Sequence, residues 1–161
     1  MQLNRFTDLG LRVLIYLTQP ARATPFTISE MAEELKVSHN HLVKVVHFMG
    51  KQGWVITTRG KGGGISLARP ANDYRMGQAI KQLEQNTQNQ NQLVDCHTAP
   101  CTLVNICLLK PALDQALQAF FDVLDQYTLA DMIKTPLHSM PLHEAIKADN
   151  RIPVLDLMLA H

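Results

Sequence analysis

Thr27-Ile-Ser-Glu-Met-Ala-Glu-Glu-Leu-Lys-Val-Ser-His-Asn-His-Leu-Val-Lys-Val-Val-His-Phe-Met-Gly50 decides the fold of this chain. Ile28, Met31, Ala32 and Leu35 stand at i, i+3, i+4 and i+7, a single apolar stripe on a short helix over 27–36. Thr27 or Ser29 is placed to cap it. Val37 falls in a break. Ser38 suits the N-cap of a second helix over 39–50, with Leu42, Val45, Val46 and Met49 turned inward. The surface left over presents His39, Asn40, His41, Lys44 and His47. Two short helices joined by a tight turn, the second showing small polar and basic side chains, form the helix-turn-helix pattern.

Reading outward toward the C-terminus, residues 54–58 and 65–68 have strand character, and Arg59-Gly-Lys-Gly-Gly-Gly64 lies between them. Glycines in that number supply a turn that takes positive φ. A basic hairpin after a helix-turn-helix reads as a wing. Pro70 closes the unit, and Asn72 or Asp73 is placed to cap a helix through 84 with Met76, Ile80 and Leu83 inward. Toward the N-terminus, Leu9, Val13, Leu14 and Leu17 mark a helix over 7–18, with Thr7 or Asp8 at its start and Pro20 beyond its end. The fold class expected is mainly α with a small β-hairpin wing.

The rest has a different character. Residues 85–92 are a Gln/Asn tract that packs no core and reads as a linker. Residues 111–133 read as one long helix on which Leu113, Leu117, Phe120, Leu124 and Tyr127 step by four and three, a coiled-coil seam widened by Ala116 and Phe121. Such a stripe beside a small domain is most simply buried against a second subunit. The division expected is 1–84 winged helix-turn-helix domain, 85–110 linker and cysteine loop, 111–133 dimerisation helix and 134–161 tail.

Formal net charge is only +1 over 161 residues, but the charge is divided. Residues 1–75 hold ten Lys or Arg against five acids; the remainder holds five against nine. Between Lys36 and Arg75 seven basic residues meet one acid, Asp73. That points to a basic face for double-stranded DNA in the first half. Ser38, His39, Asn40, His41 and Lys44 occupy the first turns of the second helix, where base edges are read, and Arg59 and Lys61 sit at the hairpin tip, within reach of the minor groove or a phosphate. The bland alternative is a structural domain with a solvated charged face. The apolar run Leu11–Leu17 is broken by Arg12 and is too short to span a bilayer, and no secretory signal precedes it, so a cytoplasmic protein is expected.

Cys96, Cys101 and Cys107 are the three cysteines, spaced C-x4-C-x5-C. An odd, tight cluster fits metal or redox chemistry better than a disulfide framework. Structural zinc favours closer pairs, whereas an iron–sulfur cluster accepts thiolates from one irregular loop and a foreign fourth ligand. A reversible thiol switch and inert thiols stay open beside it. The chain has no nucleophile elbow, phosphate loop or H-E-x-x-H motif, and Gly60–Gly64 is too compressed for a phosphate cradle. It therefore reads as a non-enzyme.

Met1-Gln-Leu-Asn-Arg-Phe-Thr-Asp-Leu-Gly-Leu-Arg-Val-Leu-Ile-Tyr-Leu17, Arg59-Gly-Lys-Gly-Gly-Gly-Ile-Ser-Leu-Ala-Arg-Pro70, the cysteine spacing and Asp125-Gln-Tyr-Thr-Leu-Ala-Asp131 together resemble the nitric-oxide-sensing branch of the IscR/NsrR family of winged-helix regulators. The likeness runs from residue 1 to about residue 133. It implies a homodimer joined by the helix over 111–133 and one iron–sulfur cluster per subunit, [4Fe–4S] or [2Fe–2S], held by Cys96, Cys101 and Cys107. In the nitric-oxide-sensing branch an N-terminal aspartate of the other subunit supplies the fourth ligand, and Asp8 stands at that place. In the other branch a histidine three residues after the third cysteine serves; here that residue is Lys110, which does not ligate while protonated. The implied function is a repressor that holds its operator while the cluster is whole and leaves it after nitric oxide acts. A regulator of iron or redox status in the same family, and a clusterless thiol switch, are the competing readings. Asp8 as a mere helix-dipole partner, worth about 0.3–1 kcal/mol, is the bland alternative at that position.

Overall fold

Asn4 opens the first helix. Its side-chain oxygen accepts the Thr7 N–H at 2.8 Å, which satisfies one of the amides that a helix start leaves unpaired. Helix α1 then runs Arg5–Tyr16. The cap expected at Thr7 or Asp8 is thus moved upstream: Thr7 is fully buried, and Asp8 is the acid of the first turn. The computed structural model describes residues 2–19, 25–60, 62–86, 93–94, 96, 102–103 and 106–133. The expectations for Lys61, Cys101, most of the Gln/Asn tract and the tail over 134–161 lie outside the described residues.

Helix α2 spans Ile28–Glu34, and Thr27 caps it by accepting the Glu30 N–H at 3.2 Å. Its end is a Schellman motif. The Val37 N–H reaches the Ala32 carbonyl at 3.0 Å and the Lys36 N–H the Glu33 carbonyl at 3.2 Å. Lys36 holds the left-handed position at φ 54°, where glycine is usual. Helix α3 follows over His39–Lys51 with Ser38 at the N-cap position, its hydroxyl making no capping bond. Leu42, Val45, Val46 and Met49 are all buried as their spacing requires.

Strands β1 (Val55–Thr57) and β2 (Ile65–Leu67) pair antiparallel, with Val55 opposite Leu67 and Thr57 opposite Ile65. Gly60 and Gly62 turn the tip at φ 97° and 82°, angles that a side chain would strain. Phe26 adds an antiparallel bridge to Ile65, its carbonyl accepting the Ile65 N–H at 2.8 Å. The hairpin is therefore tied on its outer edge to the segment that enters α2.

Asn72 and Asp73 do not cap the next helix. They lie in a 3₁₀ turn over Ala71–Asp73, and α4 begins later, over Met76–Gln85, with Arg75 at the N-cap position and no side-chain bond from it. The missing acceptor comes from far along the chain: Asp125 Oδ1 takes the Gln78 N–H at 2.7 Å. Gly77 permits that approach, since a Cβ there would run into the Phe121 carbonyl and lie 2.6 Å from Asp125 Oδ1.

Helix α5 covers Leu109–Leu124 and ends short of residue 133, where the sequence reading carried it. The helix ends early because residues 127–129 pair with the entry to α4. The Met76 N–H reaches the Tyr127 carbonyl at 3.0 Å, the Leu129 N–H reaches the Tyr74 carbonyl at 2.9 Å, and Arg75 bridges Thr128. Part of the expected seam is used within the chain. Leu117 and Phe121 are buried within the same chain against Ile80, with Leu3 and Leu11 alongside, and Tyr127 lies beyond the helix. Leu109 and Val123 stay exposed.

One apolar cluster joins Leu9, Val13 and Leu14 of α1 to Met31, Leu42, Met49, Trp54, Ile65 and Leu83. Each such side chain contributes roughly 1.5–3 kcal/mol when fully buried. Among the described residues no helix is long and apolar enough to cross a membrane.

Candidate nucleic-acid interface and cysteine segment

Burying Leu42, Val45, Val46 and Met49 turns the rest of α3 outward by helical geometry. Ser38, His39, Asn40, His41, Lys44, His47 and Lys51 are exposed, and the helix carries neither Asp nor Glu. Arg59, just after β1, is exposed as well. The fold therefore puts six of the seven residues expected at DNA on one side or the other of the α3–wing region; Lys61 lies outside the described residues.

Two concavities flank α3. One, of about 610 Å³, lies between α3 and the wing and is lined by Val43, His47, Lys51, Thr57, Thr58 and Arg59, among others. Sequence reasoning did not assign Val43, Lys51, Thr57 or Thr58 to a site. The signal was present for Val43 and Lys51, which share an i, i+4 row with His47; the threonines join only through strand pairing. The other concavity, of about 710 Å³, separates α1 from the start of α3 and is lined by Asp8, Arg12, Lys36, Ser38, His41 and Lys44, among others. Asp8 thus shares a cleft with the N-terminal turn of α3, which the sequence did not disclose.

Asp8 is half exposed and paired with Arg12, whose Nε lies 3.1 Å from both carboxylate oxygens. A surface pair of this kind is worth about 0–1 kcal/mol, so the carboxylate can exchange partners.

Cys96 and Cys107 are free thiols, each partly buried, on irregular backbone before α5. Cys101 lies outside the described residues. Lys110 is committed to Asp114. That hydrogen bond, with the charge of the Asp114 carboxylate, holds the Lys110 ammonium above its ordinary value. A lysine kept charged offers no lone pair to a metal. Cys96 and Cys107 leave two soft sulfurs on irregular backbone, the donor type that an iron–sulfur cluster takes, but among the described residues no three His, Cys, Asp or Glu side chains are grouped so as to hold a metal ion.

A helix-turn-helix with a basic wing, tied to a long helix that follows a cysteine segment, defines a winged-helix transcriptional regulator. The chain belongs to the Rrf2 family, described as iron-dependent transcriptional regulators, which it matches over residues 3–135. Solved structures with the same fold include IscR of T. potens, 22% identical with a TM-score of 0.62 over 94% of this chain and 93% of that one. CymR of B. subtilis, the global cysteine regulator, is 21% identical with a TM-score of 0.59, covering 82% of this chain and 95% of that one. The oxidized form of Staphylococcus aureus CymR is 23% identical with a TM-score of 0.62, covering 84% and 100%. At these identities the likeness carries the fold.

Proposed function

We propose that the chain is a homodimeric repressor that reads double-stranded operator DNA with α3 and the wing, and that its operator binding depends on an iron–sulfur cluster and responds to nitric oxide. Ser38, His39, Asn40, His41 and Lys44 address base edges and phosphates in the major groove, and Arg59 and Lys61 address the flanking minor groove or backbone. Cys96, Cys101 and Cys107 would hold a [4Fe–4S] or [2Fe–2S] cluster, with Asp8 of the partner subunit as the fourth ligand. When bound, such a cluster would supply iron that can take nitric oxide as a ligand.

The observation that carries this reading is the shared cleft of Asp8, Ser38, His41 and Lys44. Whatever engages Asp8 acts on the reading end of α3. Engagement draws the carboxylate from Arg12, and release returns it. Either event changes the charge beside Lys44 and His41 and biases which α1–α3 arrangement is populated. The exposed position of Asp8 and the commitment of Lys110 to Asp114 support the choice of ligand.

Anaerobic purification tests the reading. The protein is expected to be brown, with iron and sulfide in near-equal amounts and a broad visible absorbance. Asp8→Ala is expected to keep the thiolate-held colour but to make the cluster more labile and to blunt the nitric-oxide response. Colourless protein with three titratable thiols would favour the clusterless thiol switch. A coloured protein indifferent to nitric oxide would favour an iron- or redox-status regulator.

A further inference from the structure

Tyr74 is 2% exposed and is not among the residues proposed to meet DNA or metal. Its hydroxyl donates to the Trp54 carbonyl at 2.6 Å and accepts the Arg69 N–H at 3.3 Å. Trp54 precedes β1 and Arg69 follows β2. The phenol therefore closes the open end of the wing, beyond the last paired residues Val55 and Leu67. The Trp54 carbonyl also accepts the Ala68 N–H at 3.0 Å, so the root is a three-way junction. The Arg69 guanidinium covers the Tyr74 ring, 4.6 Å from its centre.

The backbone of the same residue faces the other way. Its carbonyl accepts the Leu129 N–H at 2.9 Å, and the neighbouring Arg75 bridges Thr128. Residues 125–131 are in turn fixed to α4 and to themselves, by Asp125 on the Gln78 N–H and by Asp131 Oδ2 on the Thr128 N–H and hydroxyl. One residue thus joins the end of α5 by its main chain to the root of the wing by its side chain.

We infer that Tyr74 is a positioning residue that sets the wing's orientation relative to α5. This rests on the reading that the wing meets DNA and adds to it the element that aims the wing. A tip that carries Arg59 beside a glycine turn gains little from its charge unless its base is held. In a dimer joined through α5, holding the base to α5 also sets the distance between the two wings.

The test uses the full-length, cluster-loaded protein and a DNA duplex selected by the wild type from a random-sequence library. Tyr74→Phe keeps the ring and removes the hydroxyl. It is expected to lower the thermal midpoint by only a few degrees, to leave the oligomeric state unchanged, to speed hydrogen exchange at the Arg69 and Ala68 amides, and to weaken DNA binding by up to about tenfold, the scale of one buried hydrogen bond. Arg59→Ala is expected to cost clearly less affinity in the Tyr74→Phe background than in the wild type, because a loose wing no longer delivers its charge. A merely structural tyrosine would leave the two substitutions additive, and additivity overturns the inference. A second arm needs no DNA. Asp125→Ala loosens residues 125–129 and is expected to speed exchange at the Arg69 amide only while the Tyr74 hydroxyl is present. Equal acceleration with and without that hydroxyl, or none in either, overturns it. A wild type that selects no duplex would refute the proposed function, and the exchange arm would still decide the coupling.

Discussion

Asp125 sits where one helix ends and another begins. Its carboxylate accepts the Gln78 N–H at 2.7 Å and does for α4 what Asn4 does for α1 and Thr27 for α2. Asp125→Ala is expected to lower stability by about 1 kcal/mol, the usual cost of a lost cap, read as a fall in the thermal midpoint; Asp125→Asn, which keeps an acceptor oxygen, is expected to lose less. Gly77→Ala is a sharper test of the same contact. A methyl there meets the Phe121 carbonyl and Asp125, and overpacking of this kind costs about 1–3 kcal/mol. An unchanged midpoint would mean that α4 and α5 do not meet as described. Asp131 belongs to the same latch. The Thr128 hydroxyl, then the Thr128 N–H, hold its carboxyl below the ordinary carboxylate range. A carboxyl depressed on folding stabilises fully above its unfolded value and loses that contribution as pH falls through its folded value. Thr128→Val removes the larger cause, so the variant's stability is expected to fall less steeply than the wild type's on acidification, with the two curves converging at low pH.

At the scale of elements, α1 to α4 and the hairpin were legible because their signals are local. Leu42, Val45, Val46 and Met49 repeat at helical spacing and are all buried, and the Schellman end of α2 lies within a few residues of its partners. Apart from the α1 cap, which moves a few residues upstream to Asn4, the errors fall where the partner is remote. Nothing near Arg75 shows that the α4 cap comes from Asp125. Nothing in the seam from Leu113 to Tyr127 shows that Tyr127 and Leu129 leave the helix to pair with residues 74–76. The apolar stripe of α5 was read correctly as apolar, but part of it serves the chain itself: Leu117 and Phe121 pack on Ile80 of the same chain, while Leu109 and Val123 stay exposed. The candidate site follows the same rule. The exposed face of α3 followed from what its apolar face buries, whereas the cleft joining Asp8 to Ser38, His41 and Lys44 arises from packing of α1 against α3 and has no local signature.

For the whole molecule, the division of charge matters more than its sum. The near-neutral total hides a basic first half, and within it α3 carries no acid to oppose Lys44 and Lys51. Lys44→Ala is expected to weaken binding across DNA sequences and to reduce the slope of log affinity against log salt by about 1; Asn40→Ala is expected to relax sequence preference with the slope unchanged, since a base contact releases no counterion. Family membership makes the chain a transcriptional regulator, and under the proposed function its hold on DNA is conditional on a cluster borne by the cysteines. The most direct measurement is operator affinity of the anaerobic, cluster-loaded dimer before and after stoichiometric nitric oxide, at one salt concentration. Binding is expected to be tight, to fall at least tenfold after exposure and to recover when the cluster is rebuilt; identical affinity before and after, with the cluster spectrum visibly altered, would overturn the proposed function.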